Sequence, residues 1–460
     1  MSLKLHNTYT KKLEEFIPLK KDSVSLYTCG PTVYDYPHIG NYRAYIFGDT
    51  LKRYLSYQGY QVNHIMNITD IDDKTIRDSQ KNGQSLREFT EFYTNEFYKD
   101  RDMLNIIPAD SYPMATEYID EMVKIIEKLI EKGHAYVSTD GSVYFNISTF
   151  PGYGKLAHID LSELRDNAKG RMKSDEYDKD SVQDFALWKA YDESDGNVFW
   201  ETSLGKGRPG WHIECTAMSI KNLGEQTSGE DYRTIDIHTG GVDNIFPHHE
   251  NEIAQSESYT GKQFVKYWMH NEWLLVNGKK MSKSLGNFYT LRDLITKGIS
   301  PLGYRLWLMT SHYRTLTNLN IETLQGADTA LSRLYEAFRA LPKDDNGTVD
   351  MDYKLRFIEY MNDDLNTPQA LALLWELVKD PSIPGMDKRV TMLDFDRVFG
   401  FGLADLKEEI VPEEVMKLVE EREFARLNKD WDLSDVLRAK INTLGYEVKD
   451  TGEGSKISKI

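Results

Sequence analysis

Cysteine is nearly absent: Cys29 and Cys215 are the only two in a chain of 460 residues. A disulfide framework is thereby excluded, because a chain of this length would need several bridges. Long apolar runs are missing as well. No uninterrupted stretch reaches the roughly 20 residues of a membrane span, and the polar N-terminus lacks the basic-then-apolar order of a secretory leader. These absences predict a soluble chain of the reducing cytoplasm with no membrane partner. Positive charge is in deficit, with 56 Lys and Arg against 73 Asp and Glu and a formal net charge of -17. That excludes a general nucleic-acid coat, so an RNA partner would need a local basic path. A phosphate loop of the Gly-x4-Gly-Lys-Ser/Thr type is also lacking.

Hydrophobic residues make up 40% and charged residues 28%, the composition of a soluble globular chain long enough for several structural units. Residues 24–28 alternate like a strand, 42–57 carry apolar residues at helical spacing, and 61–68 read as a second strand running into Asp70, Asp72 and Asp73. The order predicts an α/β fold: a Rossmann-type parallel-sheet catalytic domain split by an insertion, followed by a helical bundle and a small C-terminal domain. The expected boundaries are 1–110 for the first half of the catalytic domain, 111–205 for the insertion and 206–260 for the second half. A connecting region follows at 261–320, then the bundle at 321–405 and the terminal domain at 406–460. Ligands collect at the carboxyl ends of parallel strands, where Cys29 and Thr69 fall.

His248 and Glu252 are four apart in a run that opens a helix, so they share a face. With Cys29 and Cys215 they offer two thiolates, an imidazole and a carboxylate, a donor set suited to zinc. By themselves the four read better as inert buried thiols and a solvated helix face. Their company favours the metal, since Cys29 precedes a nucleotide-type loop and Cys215 follows a glycine-rich turn.

The loop ending His38, Ile39, Gly40, Asn41 meets a helix N-terminus, whose free N–H groups and dipole attract phosphate. Gly40 would let an adenine lie against the backbone. Downstream, Lys280, Met281, Ser282, Lys283 and Ser284 form a short basic loop between Gly278 and Gly286. Gly205, Gly207 and Gly210 match Gly-x-Gly-x-x-Gly, but Lys206, Arg208 and Pro209 within the run point to a shaped turn delivering Trp211 and Cys215, not to a dinucleotide site.

The paired His38 and Lys280–Ser284 motifs, with Cys29, residues 67–74, 207–215 and 240–252, closely resemble the cysteinyl-tRNA synthetases of class I, across nearly the whole chain. The resemblance implies a ligase that activates L-cysteine with ATP and loads it onto tRNA(Cys). It implies zinc on Cys29, Cys215, His248 and Glu252, and ATP bound by His38, Gly40, Asn41, Lys280 and Lys283, with His38 and Lys283 as the catalytic donors and Mg²⁺ on the leaving pyrophosphate. Gly30, Thr69, Trp211 and Asp243 would line the cysteine pocket, and Arg426, Trp431, Asp435 and Asp450 would read the anticodon. A monomer is expected. Asn41 departs from the family's usual second histidine. Because four protein ligands usually close a zinc site, Glu252 is the expected adaptable ligand. Two other readings share these features: a ligase joining cysteine to an amino sugar, and a non-catalytic RNA-binding protein with a structural zinc. The region after residue 320 argues against the first, and the intact His38 and lysine motifs against the second.

Overall fold

The computed structural model describes residues 2–459 except 160–183, 225–231, 282–285, 344–345, 407–411 and 452–453. The chain forms two compact units, Met1–Ala404 and Asp405–Ile460.

The first unit is built on a parallel sheet in the spatial order Val265–Asn271, Ile235–Gly241, Ser23–Thr28, Gln61–Met66. The carboxyl halves of its strands are buried, polar residues such as His64, His238 and Thr239 included, as a parallel sheet covered on both faces requires. Helix Ile39–Tyr57 makes the crossover from Ser23–Thr28 to Gln61–Met66. The chain next re-enters the sheet on the other side of Ser23–Thr28, which puts the point where strand order reverses between Thr28 and Gly241. A crevice opens at such a point.

After the parallel strand Gln61–Met66 and two further helices, the chain makes a tight turn, Ala115–Tyr118, and continues as helix Ile119–Glu131, burying Ile119, Met122, Ile126 and Leu129. Gly133, at φ +79°, ends it as a left-handed cap. These residues share one core with Ile65, Ile213, Met218 and Trp268, so insertion and sheet are packed as a single body.

Two of the expected boundaries fall within sheets. The insertion's antiparallel sheet runs Ala135–Val137, Val143–Phe145, Phe185–Ala190, Gly205–Pro209, Trp200–Thr202, so a boundary at 205/206 divides one sheet. Gly205–Pro209 is a strand paired with Phe185–Ala190, and Gly207 within it and Gly210 just after it serve close backbone approach. A Cβ on Gly207 would lie 2.1 Å from the Lys189 carbonyl, and one on Gly210 2.1 Å from that of Ala186. The second boundary, at 260, removes the edge strand Val265–Asn271 from the parallel sheet to which it belongs.

Beyond Pro301 the unit is helical: Pro301–Met309, Ile321–Arg339, Met351–Asn362, Thr367–Lys379 and Gly385–Phe399. Polar clasps bind this bundle to helix Ile39–Tyr57. Tyr54 Oη donates to Asn362 Oδ1 at 2.7 Å, and the buried Arg305 guanidinium reaches Asp49. The second unit pairs helices Glu413–Leu427 and Trp431–Thr443 with the hairpin Tyr446–Thr451 and Gly454–Lys459. A small core of Val415, Val419, Ile441, Tyr446 and Val448 holds it.

Candidate active site and metal centre

The crevice is a cavity of about 310 Å³. Strand Ser23–Thr28 delivers Cys29 to its floor, buried helix Trp211–Ser219 delivers Cys215, and the segment after strand Ile235–Gly241 delivers His248 and Glu252. The helix expected over 247–252 is kinked. Ile245–His249 forms a wide turn with Phe246 in extended conformation, and the regular helix starts at Glu250. The four-residue spacing survives the kink, leaving His248 Nε2 3.1 Å from Glu252 Oε1.

The ligand atoms of Cys29, Cys215, His248 and Glu252 all lie within 4.8 Å of one another, and all four residues are buried. Buried without a cation, this set is electrostatically poor. Glu252 Oε1 accepts no hydrogen bond, although a buried carboxylate oxygen normally does. The mutual hydrogen bond of the thiols lowers the Cys29 pKa and raises that of Cys215; burial and the Glu252 charge then push both up, Cys215 well above the usual thiol range. A divalent cation would reverse that penalty, so these residues fit zinc.

A shell of imidazoles surrounds the four, and the sequence reading did not anticipate it. His212 Nδ1 meets His248 Nδ1 at 2.8 Å, leaving Nε2 of His248 to the carboxylate side. His238 Nε2 holds Glu252 Oε2 at 3.1 Å, so the carboxylate is anchored from behind, and any adjustment of Oε1 is confined to pivoting about that anchor. His249 Nε2 contacts Cys29 Sγ at 3.2 Å, and its Nδ1 meets His270 Nε2 at 2.7 Å. Burial first, then neighbouring imidazoles, keep His212 and His249 well below ordinary histidine values. Cys29 and Glu252 also form a compact group with His238 and His249, but neither histidine lines the cavity, whereas Cys215 and His248 do.

Gly30, Thr69, Trp211 and Asp243 line the same cavity. The Trp211 indole stacks on the His248 ring at 4.3 Å, walling the pocket beside the ligand set. A Cβ on Gly30 would fall 1.8 Å from the Asn67 carbonyl, so this position needs glycine.

His38 lines the same cavity and caps helix Ile39–Tyr57. Asn41 N–H donates to His38 Nδ1 at 3.2 Å, and the Asn41 side chain accepts from His38 N–H at 3.1 Å. This reciprocal box gives Asn41 a structural duty and leaves the imidazole proton on Nε2, a donor suited to phosphate oxygen. Gly40 sits against Met281, whose methyl would lie 2.6 Å from an added Cβ. Lys280 lines the cavity with its ammonium 4.8 Å from the Trp273 ring. Ser282, Lys283 and Ser284 lie outside the described residues.

In the second unit, Asp450 is gripped by Arg422 at 2.8 Å and by Arg426 at 3.2 Å. Its carboxyl is held below the usual range, first by the Arg422 hydrogen bond. Arg426 lies 5.5 Å from the ring of Trp431, which is 55% exposed, and Asp435 is exposed one turn further along that helix.

Similarity to known proteins extends along the whole chain. The model for the class I (C) tRNA synthetase catalytic domain matches residues 15–329, and that for the DALR domain matches residues 356–380. The cysteine–tRNA ligase of Chlamydia muridarum is 47% identical over 493 aligned residues, covering all of both chains. This chain belongs to the cysteine–tRNA ligase family. The cysteine–tRNA ligase of Brachyspira hyodysenteriae is 46% identical, covering 98% of each chain. Among solved structures, a Mycobacterium tuberculosis methionyl-tRNA synthetase in complex with methionyl-adenylate superposes with a TM-score of 0.57 at 14% identity, covering 82% of this synthetase and 90% of that chain. At that identity the likeness speaks for the shared class I fold. No helix among the described residues is long and apolar enough to cross a membrane.

Proposed function

We propose that the crevice adenylates L-cysteine with ATP and passes the cysteinyl group to tRNA(Cys), and that Cys29, Cys215, His248 and Glu252 hold zinc at its floor. The observation that carries this reading is that Cys29, Cys215 and His248, three of the buried group completed by Glu252, line one cavity with His38, Asn41 and Lys280.

Gly30, Thr69, Trp211 and Asp243 surround the amino acid, and the His38 end takes the triphosphate. The cysteine carboxylate attacks the α-phosphate in line and pyrophosphate leaves; Mg²⁺, when bound, would neutralise charge on that leaving group. The residues contribute position and charge, with no covalent enzyme intermediate. His38 Nε2–H and the ammonium groups of Lys280 and Lys283 donate to phosphate oxygens as charge develops there. What zinc supplies is affinity for a soft thiolate over the harder hydroxyl of serine. Discrimination against an analogue lacking the required polar partner reaches roughly 10⁴ to 10⁵ in sites of this kind, enough to make separate editing unnecessary. Arg426, Trp431, Asp435 and Asp450 read the anticodon, with Trp431 offering a stacking face. The enzyme works as a cytoplasmic monomer.

The test is cysteine-dependent ATP–pyrophosphate exchange and tRNA charging, with metal analysis, on the parent and on Cys215→Ser. Loss of zinc with at least a hundredfold fall in exchange is expected. Undiminished zinc and activity in the variant would refute the ligand assignment. Exchange without charging of tRNA would redirect the reading to an amino-sugar ligase.

A further inference from the structure

Asn67 belongs to no ligand set described above, yet it sits buried at the junction of the two loops that build the amino-acid end of the crevice. Its side chain bridges them. Gly30 N–H donates to Asn67 Oδ1 at 2.9 Å, and Asn67 Nδ2 donates to Thr69 Oγ1 at 3.1 Å. The backbones are locked in the same place, since Thr69 N–H donates to the Pro31 carbonyl at 3.0 Å and Val33 N–H to that of Thr69 at 3.1 Å. Main-chain bonds therefore hold the loops together without help from the amide.

The direction of the bridge follows from chemistry. A backbone N–H can only donate, so the amide oxygen must face Gly30 and the amide nitrogen is left for Thr69. Thr69 Oγ1 then spends one lone pair accepting from Asn67. Its own proton and second lone pair stay available to the cavity that Thr69 lines. A bridging group that could only accept would reverse the second bond and draw the hydroxyl proton away from the ligand.

We propose that Asn67 is a positioning residue for the amino-acid substrate: it sets the orientation of the Thr69 hydroxyl and so governs cysteine affinity, leaving the nucleotide end untouched. This rests on the reading that the crevice activates cysteine. Asn67→Asp is the informative change, because it keeps the Gly30 bond and the side-chain shape but converts the donor facing Thr69 into an acceptor.

The experiment is ATP–pyrophosphate exchange with cysteine and ATP each varied, on the zinc-bound parent, Asn67→Asp, Thr69→Val and the double variant. Cysteine-dependent exchange by the parent establishes the underlying reading; its absence would remove that reading and the proposal together. Given an active parent, the expected result for Asn67→Asp is a rise in the KM for cysteine of about tenfold to a hundredfold, the scale of one misdirected polar contact to a charged ligand. The KM for ATP and the zinc content should stay within twofold of the parent. Thr69→Val should show the same split, and Asn67→Asp added to it should cost less than a further twofold. An unchanged cysteine KM in Asn67→Asp, an equal rise for ATP, loss of zinc, or additive effects in the double variant would each overturn the proposal. Should Asn67→Asp not fold, a parental cysteine KM in Thr69→Val would overturn it alone.

Discussion

Replacing Arg305 with methionine tests how the bundle supports the helix that His38 caps. The Arg305 side chain is fully buried on Pro301–Met309. Its Nε donates to the Phe399 carbonyl at 2.6 Å, its Nη1 to that of Leu104 at 3.1 Å, and its Nη2 to Asp49 on helix Ile39–Tyr57. Burial alone would raise the Asp49 pKa; the Arg305 and Arg53 guanidiniums outweigh it and bring the carboxyl below its ordinary value. Methionine fills similar volume but abandons three carbonyls, those of Phe399, Leu104 and Asn105, and one side of a buried carboxylate. Breaking a buried pair costs about 3–5 kcal/mol. Arg53 still reaches Asp49 at 2.8 Å, and the Ile107 N–H at 2.8 Å, so the lower end, about 3 kcal/mol, is expected. Urea unfolding followed by tryptophan fluorescence measures it, and the Asp49→Asn, Arg305→Met cycle should return a coupling of about 1–3 kcal/mol. A depressed carboxylate contributes stability that is present above its unfolded pKa and lost as pH falls through the folded one. The acid-side decline should therefore be shallower in Arg305→Met. A loss below about 1 kcal/mol, or an unchanged acid limb, would refute the reasoning.

Three further outcomes follow from other parts of the molecule. His64, pushed down to about 3 chiefly by burial, stays neutral when folded but protonates near 6.5 when unfolded; stability should fall by about 2 kcal/mol from pH 8 to pH 5 on its account, and a His64→Gln variant whose melting curve keeps the full slope would contradict this. Gly30→Ala would drive a methyl into the Asn67 carbonyl 1.8 Å away, and the expected result is a folded protein whose cysteine-dependent exchange drops at least tenfold; parental exchange kinetics would show that the loop yields freely. Trp431→Ala, on an exposed face, should leave exchange unchanged while lowering kcat/KM for tRNA about tenfold, the scale of one lost base stack, and equal charging efficiency would remove Trp431 from the anticodon contacts.

The grouping of Cys29, Cys215, His248 and Glu252 was legible because each member carried a local signal. Cys29 ends a strand of alternating residues, Cys215 follows close-packed glycines, and His248 and Glu252 keep helical spacing even through the kink at Phe246. The imidazole shell had no such signal. His212, His238, His249 and His270 come from two helical segments and two neighbouring strands, and only the parallel register, which sets Gly240 beside His270, brings them together. The insertion's limit was illegible for a similar reason. The pairing of Gly205–Pro209 with Phe185–Ala190 is non-local, whereas the glycine spacing that marks it reads locally as a turn. A helical bundle over 321–405 was legible as a whole. The clasp on helix Ile39–Tyr57 was not, because it runs through buried polar groups such as Arg305 and Asp49 that no apolar pattern announces.

The central claim, that the substrate's sulfur is read by a metal held on Cys29, Cys215, His248 and Glu252, is tested most directly by zinc-edge X-ray absorption of the enzyme with and without L-cysteine. Two sulfur neighbours around zinc in the free enzyme, three once cysteine is added, and still two with serine is the predicted result. A sulfur count that cysteine does not change would contradict the account.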